Sequence, residues 1–236
     1  MNQSQYKHLF FDLDHTLWDF ERNSGEALRE LFSEFELAKY QVAMPQFLQT
    51  YAHVNYQLWD AYNKAQIDQA TLRRQRFKLV FEGLGKEISE DFSLELGEAY
   101  LARTPYKPHL MPKAIETLEH LQNKKYHLHI ITNGFADVQK TKLSYSGLER
   151  FFDLVVTSEN AGCKKPNPAI FEYALKACRA RKSECVMIGD NLATDIEGAW
   201  QANIRSIFYN PNALAHDKAD LIHREIKCLS ELSQYF

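Results

Sequence analysis

The segment Leu9-Phe10-Phe11-Asp12-Leu13-Asp14-His15-Thr16-Leu17 runs apolar and then turns abruptly into two carboxylates two residues apart. Polar groups can surface from a buried strand only where it stops, so this pattern predicts a strand that delivers Asp12 and Asp14 to the rim of a sheet. Three later stretches carry complementary chemistry: Thr132-Asn133-Gly134, Lys164-Lys165-Pro166-Asn167-Pro168, and Gly189-Asp190 with Asp195 five residues on. Singly, each has an ordinary reading as an acidic turn, a glycine turn, a solvated lysine pair or a strand-to-loop transition. Together they match phosphoryl transfer. A carboxylate attacking a phosphate dianion meets like charge, and two unit charges at about 4 Å repel by about 4 kcal/mol at an effective dielectric of 20. Asp12 and Asp190, joined by Asp195, offer hard oxygen ligands suited to Mg²⁺, and Lys165 adds a second positive charge. The Thr132 hydroxyl and neighbouring backbone N–H groups, that of Asn133 among them, are suited to the phosphoryl oxygens, over which the transferring charge spreads. Asp12 and Asp14 can divide the work of nucleophile and acid/base if their environments separate their pKa values. His15 lies between them, but strand alternation points it away from Asp14.

The elements that must position these residues are legible in outline. Tyr6 to Asp12 reads as a strand, and from about Trp18 to Pro105 the pattern is helical, with Phe47, Tyr51, Leu58 and Tyr62 on one helix face. Roughly 90 residues is too long for an ordinary connection, which predicts an inserted helical domain at residues 18–105 between core segments 1–17 and 106–236. From Pro112, expected in the first turn of a helix, strands and helices alternate: strands at His127–Thr132, Leu154–Thr157, Cys185–Gly189 and Ile204–Phe208, with helices between. This order predicts an α/β fold with a parallel sheet covered on both faces, and parallel strands bring the motif-bearing ends to one edge. The segment after Pro211 is ambiguous, with a short edge strand near Leu221-Ile222 and a final helix as the expectation.

With 236 residues, 45% of them hydrophobic, the chain can bury a substantial core. A formal net charge of −3 and no long basic run argue against nucleic acid as a partner. The four cysteines, Cys163, Cys178, Cys185 and Cys228, form no C-x-x-C or zinc spacing, and nothing at the N-terminus resembles a signal peptide, so a cytoplasmic protein is expected. No apolar run approaches the ~20 residues needed to cross a bilayer, which excludes a membrane role.

Asp12-x-Asp14-x-Thr16, Thr132, Lys165 and Gly189-Asp190-x-x-x-x-Asp195 together resemble the four motifs of the haloacid dehalogenase-like hydrolase superfamily. The resemblance implies a Rossmann-like core with a five-stranded parallel sheet and a helical cap. It also implies that Asp12 is the nucleophile, forming an aspartyl-phosphate, that Asp14 is the acid and base, and that the Asp14 backbone carbonyl is a further Mg²⁺ ligand. Leu17-Trp18-Asp19-Phe20, Asn55-x-x-Leu58-Trp59-x-x-Tyr62, Arg76-Phe77 and Thr132-Asn133-Gly134-Phe135 resemble the pyrimidine-nucleotide 5′-nucleotidase branch. The implied activity is hydrolysis of a small-molecule phosphomonoester by a monomer or dimer, with Tyr56 and Trp59, which lie off the packing stripe, and Trp18, near the hinge of the cap, as candidates for the substrate pocket. Arg73, Arg74 and Arg76 read as solvated or cap-internal charges. A sugar-phosphate phosphatase or phosphomutase would keep the same motifs, and a non-catalytic phospho-accepting module is a third reading, against which the large insertion argues. A dehalogenase has no use for a metal, so the carboxylate set counts against it.

Overall fold

In β1 (His8–Phe11) successive side chains alternate between two hydrophobic layers: Leu9 and Phe11 join one, Phe10 the other, and all three are fully buried. A strand buried on both faces must lie inside a sheet covered by helices. The computed structural model describes residues 6–236, and in it β1 sits between β2 (His127–Thr132) and β4 (Cys185–Gly189), with Phe11 in register with Ile130 and Ile188. Beyond β2 lies β3 (Leu154–Thr157), and beyond β4 lie β5 (Arg205–Tyr209) and β6 (Arg224–Ile226), giving the all-parallel order β3-β2-β1-β4-β5-β6. Chain order reverses on either side of β1, which makes its carboxyl end the switch point where such sheets bind ligands.

The sheet has six strands, not five. β6 pairs with β5 from Ile207↔Arg224 to Tyr209↔Ile226. It is three residues long with charge at two of them, too short for any apolar alternation, and it begins beyond the Leu221-Ile222 pair that the sequence suggested. The expected final helix is a 3₁₀ segment, Leu229–Gln234. Pro112 likewise lies outside its helix: Lys113 takes a left-handed φ of 69° and the helix starts at Ala114.

The described residues divide into two compact units, one comprising residues up to Phe20 with Pro108–Phe236, the other Glu21–Lys107. The second is helical. It contains most of α1 (Phe20–Glu34), then α2 (Met44–Asn63), α3 (Gln69–Gly83) and α4 (Glu90–Leu101). Its interior is aromatic, with Phe47, Tyr51, Phe77, Phe81 and Tyr100 buried; the Tyr51 and Tyr100 ring centres are 5.3 Å apart. Arg76 is buried here as well, its guanidinium 5.4 Å from the Tyr100 ring centre. Arg103 pairs with Glu34 and Lys107 with Glu30, fastening the end of this unit to α1.

In the sheet-bearing unit, α5 (Ala114–Asn123) supplies Leu118 and Leu121 to the layer under Leu9 and Phe11, and α8 (Pro168–Cys178) supplies Ile170, Phe171 and Ala174 to the layer under Phe10. No helix among the described residues is long and apolar enough to cross a membrane.

Candidate active site

Lys165 is the buried hub of the carboxyl edge. It is 1% exposed, and its ammonium donates to Asp12 Oδ1 at 2.6 Å, Asp195 Oδ1 at 2.7 Å and the Ile131 carbonyl at 2.7 Å. An ammonium has three donors and all three are used. Burial works against the charge, but the two carboxylates outweigh it and hold the Lys165 pKa above its ordinary value. The loop that carries Lys165 is clamped by Asn133. The Asn133 side chain donates to the Lys165 carbonyl at 2.9 Å and accepts from the Lys165 N–H at 2.8 Å. Asn167 then caps α8 by accepting from the Ala169 N–H. The Asn133 side chain is thereby committed to the lysine loop, a partner 32 residues away that proximity in sequence to Thr132 could not reveal, and the Asn133 backbone N–H expected to meet a phosphoryl oxygen is a separate group.

Asp190 and Asp195 reach the same place by different means. The Asp190 N–H donates to Thr16 Oγ1 and the Thr16 hydroxyl donates back to Asp190 Oδ1 at 2.8 Å, joining the first and last motifs. Asp195 sits in a π-helical turn, Leu192–Ile196, which Asn191 caps and which leads into α9 (Glu197–Gln201); such turns are frequent at functional sites. Gly189 makes room for it, since a Cβ there would lie 2.2 Å from Asp195 Oδ2. One carboxylate oxygen from each of Asp12, Asp190 and Asp195 lies within 4.8 Å of the others. Burial and the neighbouring carboxylates push Asp12 up to about 8 despite the pull of Lys165, and burial with Asp195 pushes Asp190 up to about 7. Three carboxylates against one ammonium leave negative charge uncompensated, and hard oxygen donors at this spacing fit a divalent cation such as Mg²⁺.

Asp14 stands in a different environment. Lys142 Nζ lies 2.5 Å from Asp14 Oδ1, and Gln139 Nε2 lies 3.0 Å from Asp14 Oδ2. Burial alone would raise the Asp14 pKa, but the Lys142 charge and both hydrogen bonds outweigh it and the pKa falls. The two carboxylates thus diverge, Asp12 upward and Asp14 downward. Gln139 Nε2 also reaches Thr132 Oγ1 at 2.7 Å, and the Gly134 N–H donates to the same oxygen at 3.1 Å, so the Thr132 hydroxyl keeps its own proton to donate. A Cβ on Gly134 would fall 2.2 Å from the Gln139 amide nitrogen.

Gln139 and Lys142 were missed from sequence. Both lie on α6 (Ala136–Tyr145), three residues apart and therefore on one face. Two polar residues beside Leu143 on the inward face of a helix that follows a motif turn were the available signal.

Of the proposed pocket residues, Trp18 is fully buried in the sheet-bearing unit, and the Lys142 ammonium lies 4.4 Å from its ring centre. It packs beneath the lysine that holds Asp14 and does not line an open pocket. Tyr56 and Trp59 lie on α2 of the helical unit: Tyr56 is 73% exposed and Trp59 is half-buried with its ring edge-on to Tyr62 at 5.5 Å. His15 lies beyond the end of β1, in a turn where strand alternation does not apply; it takes a left-handed φ of 63° and its ring faces Phe20, 4.8 Å between centres.

A parallel sheet whose carboxyl edge gathers three carboxylates about one buried lysine, with a helical insertion after the first strand, defines an α/β protein with a carboxylate-centred site. The chain belongs to the haloacid dehalogenase-like hydrolase family, whose pattern matches residues 6–203. It is 33% identical to pyrimidine 5′-nucleotidase PynA of Streptococcus pneumoniae (strain ATCC BAA-255 / R6) over 89% of this chain and 86% of that one. It is 30% identical to pyrimidine 5′-nucleotidase YjjG of Escherichia coli (strain K12) over 96% of each. Among solved structures it is similar to the HAD-hydrolase YfnB of Bacillus subtilis bound to magnesium, with a TM-score of 0.87 at 27% identity over 98% of both chains.

Proposed function

We propose that this protein is a Mg²⁺-dependent phosphomonoesterase that works through an aspartyl-phosphate on Asp12, with pyrimidine nucleoside 5′-monophosphates as its substrates. The observation that carries the chemistry is the Asp12, Asp190 and Asp195 cluster around Lys165. Dehalogenation at carbon has no use for three clustered carboxylates, whereas attack on a phosphate dianion requires the cation that they can hold. The substrate class rests on the similarity to two pyrimidine 5′-nucleotidases over most of the chain.

Asp12 attacks phosphorus, and the bond to the leaving oxygen breaks as the P–O bond to the carboxylate forms. Lys165 holds the Asp12 carboxylate in place and supplies fixed positive charge beside it. The Thr132 hydroxyl donates to a phosphoryl oxygen. Asp14, which Lys142 keeps ionised in the free site, takes up a proton from the bound substrate monoanion, gives it to the leaving alkoxide and, ionised again, takes the proton of the water that attacks the phospho-aspartate. Asp12 and Asp190, with Asp195 beside them and the Asp14 backbone carbonyl of the family pattern, would hold Mg²⁺, which when bound supplies positive charge at the phosphoryl oxygens.

A pH dependence is expected from the surroundings of Asp14. With Lys142 in place the Asp14 pKa is depressed, so the base form needed for dephosphorylation persists to low pH. Lys142→Met removes the main opposition to burial, leaving the Gln139 hydrogen bond, and is expected to move the acid limb of the kcat profile up by about one pH unit or more, about 1.4 kcal/mol. An unchanged limb would separate Lys142 from the proton transfer.

A panel of phosphomonoesters with phosphate detection tests the function. With Mg²⁺, kcat/KM for UMP, dUMP or TMP is expected to exceed that for small sugar phosphates by at least about tenfold, about 1.4 kcal/mol of differential transition-state binding. A chelator should abolish phosphate release. Sugar phosphates outrunning nucleotides would overturn the substrate and leave the phosphatase. Undiminished turnover in chelator would overturn the chemistry.

A further inference from the structure

A second cluster of metal-binding side chains lies in the sheet-bearing unit and takes no part in the carboxylate site. His8 opens β1, His129 lies in β2, and Cys178 ends α8. His8 Nδ1 and His129 Nε2 are 3.0 Å apart, their rings stacked at 16° with centres 5.3 Å apart. One ligand atom from each of His8, His129 and Cys178 lies within 4.8 Å of the other two. His129 is 2% exposed, and its remaining ring nitrogen, Nδ1, is buried with no hydrogen-bond partner. His8 and Cys178 are half-buried, which leaves the cluster a path to solvent.

We infer that His8, His129 and Cys178 form a second metal site that takes a borderline-soft divalent cation of the zinc class. Two imidazoles and a thiol are ligands that Zn²⁺ prefers and Mg²⁺ does not. Zinc ligates neutral imidazoles, and burial of the His129 ring disfavours its charged form. The thiol gives up its proton when the metal binds, the usual coupling of thiolate ligation to pH. In a tetrahedral site with Zn–N of about 2.0–2.1 Å and Zn–S of about 2.3 Å, ligand atoms stand roughly 3.3–3.6 Å apart. The His8 Nδ1 to His129 Nε2 separation of 3.0 Å is slightly shorter than that, and the three ligand atoms all lie within 4.8 Å of one another. Solvent completes the coordination. The inference is independent of the substrate and of the hydrolytic mechanism.

Co²⁺ titration of the full-length protein in excess Mg²⁺, followed by absorbance, tests it. The expected result is one equivalent bound with the thiolate-to-cobalt charge-transfer band and the visible bands of a tetrahedral site, all displaced by Zn²⁺. Cys178→Ser should remove the charge-transfer band, and His129→Asn should weaken binding at least roughly tenfold. Cys185→Ala and Asp190→Asn should leave the spectrum unchanged. If His129→Asn does not fold, the half-buried His8→Gln carries the same expectation. Absence of the band in the parent protein, its survival in Cys178→Ser, or its loss in Asp190→Asn would overturn the site.

Discussion

Replacing Asp12 with asparagine should lower kcat by at least about 10⁴-fold, a loss of about 5.5 kcal/mol of transition-state stabilisation, for any phosphomonoester the enzyme accepts. The substitution removes the atom that would form the bond to phosphorus while keeping the volume and one acceptor for Lys165. The fold should tolerate it. The Asp12 pKa is pushed up to about 8 by burial and by Asp195 and Asp190. A carboxyl group with a folded-state pKa above its unfolded value costs stability as pH rises from the unfolded value towards the folded one. Without metal, Asp12→Asn is therefore expected to melt no lower than the parent at pH 8, as read by thermal unfolding in chelator. An inactive variant that has also lost its cooperative transition would point to structural damage and would not support a nucleophile.

Asp14→Asn is the second large effect. General acid–base catalysis contributes about 10²–10⁴-fold, and the same side chain serves both half-reactions, so steady-state kcat should fall by about that range with little change in KM. Asparagine can still accept from Lys142 through its Oδ1, and its NH2 can donate to Gln139 Oε1 if the Gln139 amide turns over, but it cannot exchange a proton. The loss should depend on the leaving group: large for an alkyl phosphate such as a nucleotide, whose alkoxide needs protonation, and small in the first step for p-nitrophenyl phosphate, whose phenolate does not. Equal losses on both substrates in single-turnover experiments would contradict the acid role.

The two expectations rest on residues that announced themselves in the sequence. A strand that runs apolar and then ends in Asp12 and Asp14 has few places to go in an α/β sheet, and the glycine and lysine motifs mark strand and helix boundaries that packing enforces. Gly189 was legible as a strand end, and its further reason, room for the Asp195 carboxylate, needed coordinates. What stayed hidden were partnerships across long sequence separations. Nothing local to Lys142 says that it crosses 128 residues to Asp14, and nothing local to Asn133 says that it spends its side chain on the backbone of Lys165. Trp18 misled because an aromatic beside a motif reads equally well as pocket or packing, and the decision belongs to the ammonium that lies over its ring. β6 was misplaced because three residues flanked by turns carry no periodicity.

Asp14→Asn also opens the most direct view of the mechanism. When this variant reacts with p-nitrophenyl phosphate and Mg²⁺, the first step needs no proton while the second has lost its base, so the covalent intermediate should accumulate. Acid quench during the burst of nitrophenol, followed by proteolysis and mass spectrometry, should find one phosphoryl group on the peptide that spans β1, localised to Asp12. A burst that leaves this peptide unmodified, or that places the phosphoryl group on another residue, would contradict an aspartyl-phosphate at Asp12.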